Sequence, residues 1–168
     1  MTRFSIVSHR SRVAVEVRST LQRLELASEG LTGEFEGEFI DGRVAPGATA
    51  WLSLATTSLA AGNWLVDRDV RAMFEVRKFP VISGEMIEIK SIDGGDDYSV
   101  RGSLRLRGVT REVQGRVSLV EIGDNYVVFE GSMTFDFTQF NLSPPKLLML
   151  RVEPEVEIRG RVYAERQS

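Results

Sequence analysis

The chain has 168 residues, of which 42% are hydrophobic and 27% charged, as in a globular domain large enough to bury a core. Its net charge of −3 argues against a nucleic-acid-binding protein, which normally carries an excess of basic residues. The absence of cysteine excludes disulfides, zinc thiolates, iron–sulfur clusters and a cysteine nucleophile.

The beginning of the chain shows no export signal. The stretch MTRFSIVSHRSRVAVEV lacks the apolar run of a signal peptide. No stretch of the sequence approaches the ~18 consecutive apolar residues of a membrane-spanning helix. We therefore expect a soluble, cytoplasmic protein without a transmembrane segment. Because no repeat, linker or low-complexity stretch divides the sequence, we also expect a single domain over residues 1–168.

Apolar and polar residues alternate along most of the sequence. The apolar residues in Val13–Val17 are every second one, and the same alternation runs through Tyr98–Leu106. Turn residues such as Asp41 and Gly42 separate the alternating runs. This pattern predicts about eight antiparallel strands in a sandwich or barrel, each with one face in the core.

One segment has a helical period instead. Val70, Met73 and Phe74 recur at helical spacing, and Asp67 precedes them in the position of a cap or a first-turn residue. The sequence therefore predicts one short helix around 67–76.

A set of glycines falls on the apolar face of the predicted strands. Glycine inside a strand weakens it, so a whole set on one face needs a physical reason. Sheets that curl into barrels use glycine kinks, and a face without side chains also leaves room for a ligand. The two explanations are compatible, and both stay open here. The six glycines are Gly33, Gly37, Gly102, Gly115, Gly131 and Gly160.

The sequence offers little for catalysis. His9 is the only histidine, which excludes a histidine-rich metal site, and a lone histidine near a strand start is more often a surface residue than a base. There is neither a G-x-S-x-G nucleophile elbow nor a glycine-rich phosphate loop. We therefore expect no enzyme, no metal and no cofactor.

Several stretches carry a shared pattern, in order along the chain. They are SRVAVEVRS (Ser11–Ser19), LTGEFEGEF (Leu31–Phe39), NWLVDRDVRAMFEVRKFPVISGE (Asn63–Glu85), VRGSLRLRGVTREVQ (Val100–Gln114), FDFTQFNL (Phe135–Leu142) and VEPEVEIRGRVYA (Val152–Ala164). Together they resemble the YceI-like family, also called the polyisoprenoid-binding protein family. The G-V-T-R motif is its strongest marker here.

The resemblance implies both a fold and a function. The implied fold is all-β: an eight-stranded antiparallel lipocalin-like barrel. The implied function is non-enzymatic: the barrel lumen sequesters or carries an amphiphilic long-chain isoprenoid of the polyprenyl or isoprenoid quinone type. A barrel of eight strands can instead be filled by side chains. The alternative function is therefore a filled barrel that acts as a structural or protein-interaction module with no bound lipid.

The inward-facing apolar residues are the candidate lumen lining, although each could equally belong to a packed core. A chain-like ligand needs a long apolar tunnel with few hydrogen bonds. Arg111 shares the inward face beside the turn at Gly108, and we expect it at a barrel end as the polar head-group contact. The other candidate ligand-binding residues are Phe35, Phe39, Leu52, Leu54, Met73, Phe74, Ile87, Tyr98, Leu104, Phe129, Met133 and Phe135.

Two further features have competing explanations. Arg68, Arg71, Arg77 and Lys78 could form a charged rim for a lipid head group, or they could simply be solvated charges of the helix. The apolar run Leu147–Leu150 could be a homodimer interface, a membrane-docking loop or a long buried strand.

Overall fold

The computed structural model describes residues 1–142, 146–147 and 150–168. The apolar run Leu147–Leu150 lies outside the residues whose side chains are described. The predictions of an interface, a docking loop or a buried strand at this run therefore stay untested.

The described part of the chain is built mainly of strands. One α-helix, α1, spans Trp64–Phe74, and single 3₁₀ turns span Ser8–Arg10, Thr56–Ser58 and Phe137–Phe140. The strands are β1 (Thr2–Ile6), β2 (Arg12–Arg18), β3 (Arg23–Ser28), β4 (Thr32–Gly37), β5 (Phe39–Ile40), β6 (Arg43–Val44), β7 (Thr49–Ala55), β8 (Val81–Ser91), β9 (Asp97–Leu106), β10 (Val109–Ile122), β11 (Tyr126–Asp136), β12 (Lys146–Leu147), β13 (Leu150–Arg151) and β14 (Glu155–Arg166).

The main sheet closes on itself. Its strands follow the order β1-β4-β7-β8-β9-β10-β11-β14, and β14 pairs back with β1. β14 also pairs with β2, further along its length, and β2 pairs with β3. β1 and β2 thus share one position around the barrel, and β3 and β4 share the next. The result is the predicted eight-stranded antiparallel barrel, with β3 paired along one side to β2 and joined on its other side only by a bridge between Ala27 and Ala60.

The predicted helix around 67–76 is confirmed, and the structure places it at Trp64–Phe74. α1 begins at Trp64 because the side-chain oxygen of Asn63 accepts hydrogen bonds from the backbone N–H groups of Leu65 and Val66. Asp67 lies in the first turn, where its carboxylate accepts a hydrogen bond from the Ala61 N–H at 2.7 Å. The helix ends at Glu75, which adopts the left-handed conformation.

The barrel has two ends with different interiors. At the end here called the aromatic end, four phenylalanine rings pack at centroid distances of 5.3–6.0 Å. Tyr98 is buried beside them, and its hydroxyl accepts a hydrogen bond from the Val44 N–H at 3.0 Å. At the other end, here called the helix end, α1 lies over mostly aliphatic side chains. The four phenylalanines are Phe4, Phe35, Phe39 and Phe129.

At several of the inward glycines, neighbouring strands approach each other closely. A Cβ added at Gly102 would lie 2.2 Å from the backbone oxygen of Glu85. One added at Gly115 would lie 2.7 Å from the oxygen of Ser132. Because these obstacles are backbone atoms of the adjacent strand, the glycines explain how the sheet curls. No glycine lines the cavity described below.

We expect Gly102→Ala to lower the free energy of unfolding by about 1–3 kcal/mol, because its new methyl group would force β8 and β9 apart. Chemical denaturation measures this loss. Gly160→Ala is the matched control, since its methyl group would meet nothing closer than 3.7 Å, and we expect a change within about 0.5 kcal/mol. Equal losses in both variants would contradict the close-approach explanation.

Candidate functional site

A cavity of about 90 Å³ lies inside the helix end of the barrel. It is enclosed by strands on its sides and by α1 across its mouth. Every residue of the described part of the chain that lines it is apolar, so these residues offer a ligand dispersion contacts and no hydrogen bonds. The lining residues are Val13, Val15, Val17, Leu26, Leu54, Leu59, Val70, Met73, Phe74, Ile82, Leu104, Leu106, Phe135, Phe137, Leu142, Val152, Val156 and Ile158.

Two segments close the mouth of this cavity. α1 contributes Val70, Met73 and Phe74 to its lining, from one face of the helix. The segment Phe137–Leu142, here called the cap, follows β11. Within the cap, the Phe140 ring is fully buried and packs edge-on against Phe135 at 5.5 Å. Side chains from two separate connections therefore cover the mouth of the cavity.

A three-residue cluster, here called the clasp, joins both segments to the barrel wall. Arg107, in the turn between β9 and β10, donates two hydrogen bonds to one carboxylate oxygen of Glu75, at 2.9 and 2.6 Å. It donates a third to the backbone oxygen of Asn141 at 2.8 Å. All three residues have positive φ, between 47° and 58°. Such conformations cost free energy and persist only where surrounding contacts hold them.

The clasp gives the helix end a predicted pH dependence. The hydrogen bond and the charge of Arg107 lower the pKa of the Glu75 carboxyl in the folded protein. A lowered folded pKa contributes stability above the unfolded value of about 4.3, and this contribution is lost as pH falls through the folded pKa. We therefore expect the protection of the α1 amides against hydrogen exchange, measured relative to the intrinsic exchange rate at each pH, to decrease as pH falls below about 4.3.

Glu75→Gln is the control for this pH effect, because glutamine keeps the shape of the side chain but does not titrate. In this variant, the α1 amides should already exchange faster at neutral pH, with no further loss of protection at acid pH. Protection of α1 that stays pH-independent in the unmodified protein would contradict a stabilising role of the clasp.

Six of the candidate ligand-binding residues lie at the helix end. Five of them line the cavity, and Leu52 packs against the same cluster. Four others lie in the aromatic-end cluster, away from the cavity. Met133 is half-buried in the sheet opposite Gly115. The five lining residues are Leu54, Met73, Phe74, Leu104 and Phe135, and the four at the aromatic end are Phe35, Phe39, Tyr98 and Phe129.

The inward placement of Ile87 is wrong. A β-bulge shifts the register of β8 between Met86 and Glu88, so Ile87 has no partner on β9 and its side chain is 50% exposed. Met86 and Ile89 are the residues that pack inside. The sequence alternation cannot reveal this extra residue. A bulge reverses which residues point inward beyond it, and the residue types themselves carry no mark of it.

Arg111 makes no contact with the cavity. It lies near the helix end, where its guanidinium donates a hydrogen bond to the backbone oxygen of its neighbour Thr110 at 3.0 Å. Its partner on β9, Leu104, does line the cavity, so Arg111 lies on the inward face of its strand, as predicted. The side chain is exposed, however, because the strand is almost at its end there.

Several lining residues are absent from the sequence-predicted candidates. Val13, Val15 and Val17 follow a clear alternation, and this signal is sufficient to find them. Leu59 and Leu142 come from irregular connections, where no period marks a buried side chain.

The described residues show no polar or ionic centre inside the barrel. Among them, no group of His, Asp or Glu side chains is arranged to hold a metal ion. Every buried side-chain nitrogen or oxygen in this part of the chain has a hydrogen-bond partner. His9 is exposed, as expected. Of the helices in the described ranges, none is both long and apolar enough to cross a membrane.

Solved structures share this architecture. The Burkholderia cenocepacia protein BcnA superposes with a TM-score of 0.80 at 19% identity, over 94% of this chain and 98% of its own. A polyisoprenoid-binding domain from Saccharophagus degradans, implicated in plant cell wall breakdown, has a TM-score of 0.78 at 14% identity, over 98% of both chains. The Campylobacter jejuni YceI protein has a TM-score of 0.75 at 11% identity, over 90% of both chains. At these identities, the likeness shows the fold.

Sequence comparison shows the family. UPF0312 proteins of Pseudomonas aeruginosa are 28% identical over 146 residues, which covers 82% of this chain and 74% of theirs. The model of the YceI-like domain matches residues 4–164, almost the whole barrel. With its closed eight-stranded barrel and its G-V-T-R motif, the chain belongs to the YceI-like family.

Proposed function

We propose that this protein is a non-enzymatic lipid carrier that binds an amphiphilic long-chain isoprenoid, of the polyprenyl or isoprenoid quinone type, inside its barrel. The observation that carries the proposal is the cavity at the helix end, which only apolar side chains line among the described residues. The Saccharophagus relative with the same fold is a polyisoprenoid-binding domain, which supports this ligand class at the level of the family.

The size of the cavity limits which ligands can enter it without a change in the protein. At about 90 Å³ it is smaller than the cavity of about 150 Å³ that admits benzene in another protein, so a long chain does not fit beside the packed α1 and cap. Entry of the ligand therefore requires α1 and the cap to move outward. Each CH₂ that then leaves water contributes about 0.8 kcal/mol, less the cost of ordering the chain.

The different interiors of the two barrel ends determine the orientation that we propose for the ligand. Phenylalanine rings and Tyr98 fill the aromatic end, so the apolar tail extends from the helix end only as far as these rings. The polar head group stays at the mouth, outside the apolar lining. Arg107 and Arg111, which lie at the helix end, are candidate basic partners for it.

The second candidate function is a filled barrel that serves as a structural or protein-interaction module. The small volume of the cavity and the filled aromatic end favour it. Cytoplasmic location and a homodimer stay predictions under either function.

Native mass spectrometry of freshly purified protein, followed by organic extraction, separates the two functions. A carrier should release a lipid whose mass is a multiple of isoprene units plus a head group. A protein that releases nothing, and that also fails to bind an added polyprenyl phosphate or quinone, would be a filled barrel.

A further inference from the structure

The two ends of the barrel carry opposite charge. The connections at the helix end, counted with the strand residue on each side over 18–23, 55–81, 106–109, 136–142 and 151–155, contain eight basic and six acidic residues. The connections at the aromatic end, counted in the same way over 37–49, 91–97 and 122–126, contain one basic and six acidic residues. The molecule is therefore electrically polar along the barrel axis, although its overall charge is only −3. An anionic surface would attract the helix end and repel the other.

Several basic side chains at the helix end are unpaired. Arg71 and Arg77 are exposed and form no ion pair within the described ranges. Lys78 is exposed, and its ammonium lies 5.3 Å from the centre of the Phe79 ring. Because no ion pair within the described part of the chain holds Arg71 or Arg77, these two charges are free to interact with an external anion. Arg71, Arg77 and Lys78 belong to the charged rim that the sequence predicts for a lipid head group. Because they are exposed, they could also contact a larger anionic surface.

The helix end also exposes two large apolar side chains. Trp64, the first residue of α1, is 71% exposed, and the guanidinium of Arg68 lies 5.7 Å over its ring. Leu21, in the connection between β2 and β3, is 81% exposed. Tryptophan prefers the boundary between lipid and water, where its ring is buried and its N–H stays hydrated. The aromatic end exposes Ile40 and Ile122 as well, but among acidic residues.

We propose that the helix end docks onto the surface of an anionic lipid bilayer. The unpaired basic residues contact the lipid phosphates, and Trp64 and Leu21 enter the interface. The mouth of the cavity then faces the bilayer, and the acidic aromatic end faces away from it. This docking rests on the proposed carrier function for its purpose, because an isoprenoid could pass between barrel and bilayer without crossing water.

Vesicle sedimentation tests the charge part of the proposal. The protein should bind vesicles that mix phosphatidylglycerol with phosphatidylcholine, should not bind phosphatidylcholine alone, and should dissociate as salt is raised. R71Q/R77Q should weaken binding about 30-fold, since each basic residue near such a surface contributes about 1 kcal/mol. R43Q/R116Q is the matched control: it removes the same charge from the aromatic end and the barrel wall, and its binding should be unchanged.

Tryptophan fluorescence tests the orientation. Trp51 and Trp64 are the only tryptophans, and Trp51 lies on the barrel wall in β7. The W51F protein, which reports Trp64 alone, should shift to the blue on anionic vesicles, while the W64F protein should not. Failure to bind anionic vesicles at low salt, an equal loss in R43Q/R116Q, or a shift of Trp51 instead of Trp64 would overturn the proposal. Because these vesicles contain no isoprenoid, a barrel without a lipid ligand would leave this test unaffected.

Discussion

Under the proposed carrier function, a Val15→Phe variant should no longer bind an isoprenoid while it keeps its fold. Val15 lies on β2, and its partners on both neighbouring strands, Leu26 and Ile158, also line the cavity. The added ring would occupy the space that the tail of the ligand needs. Exclusion of only two CH₂ groups from the barrel costs about 1.6 kcal/mol, which corresponds to a loss of affinity of more than tenfold.

Quantitative extraction of lipid from the purified variant measures this loss, and circular dichroism checks the fold. Val120→Phe is the matched control, because Val120 lies on β10 and exposes its side chain to water. The control should keep the full amount of lipid. If Val15→Phe retained as much lipid as Val120→Phe, the ligand would not lie in this cavity.

A Phe140→Ala variant should lose about 3–5 kcal/mol of unfolding free energy, more than we expect for Gly102→Ala. Phe140 is fully buried in the cap and packs edge-on against Phe135. Its removal leaves a void between the cap and the barrel, and the neighbouring strands are too rigid to fill it. A loss of this size is a large part of the total stability of a single domain.

Urea denaturation measures the effect of Phe140→Ala. The control is Trp64→Ala, which removes a larger ring from a position that is mostly exposed, and we expect its stability to change by no more than about 0.5 kcal/mol. A loss of less than about 1 kcal/mol in Phe140→Ala would show that the cap does not pack as a part of the core.

The strands were predictable because their signal is local. Alternation in Val13–Val17 and Tyr98–Leu106 identifies the inward face of a strand directly, since successive side chains point to opposite sides. The prediction failed at Ile87, where one unpaired residue of a bulge reverses the parity of the strand. The helix was recognisable from the spacing of Val70, Met73 and Phe74, but its start depends on the Asn63 cap, which the prediction did not use.

The candidate site was predictable only in part. Lumen residues on strands, such as Leu54 and Leu104, were recovered from alternation. The division of the interior into an aromatic end packed with rings and a helix end that contains the cavity was not predicted. Alternation shows that a residue points inward, but not where it lies along the barrel axis. Phe35 and Leu54 therefore looked equivalent in sequence, although only Leu54 lines the cavity.

By itself, the sequence determined that this protein is a closed antiparallel barrel of the YceI-like family with one short helix, because strand period, turn residues and family motifs are all short-range features. Only the tertiary structure decided where the cavity lies, what closes it and how charge is distributed between the two ends. The clasp illustrates the reason. Arg107 meets Glu75 and Asn141 across more than thirty residues of chain on either side. Contacts of this kind depend on how the whole barrel closes and leave no periodic pattern in the sequence.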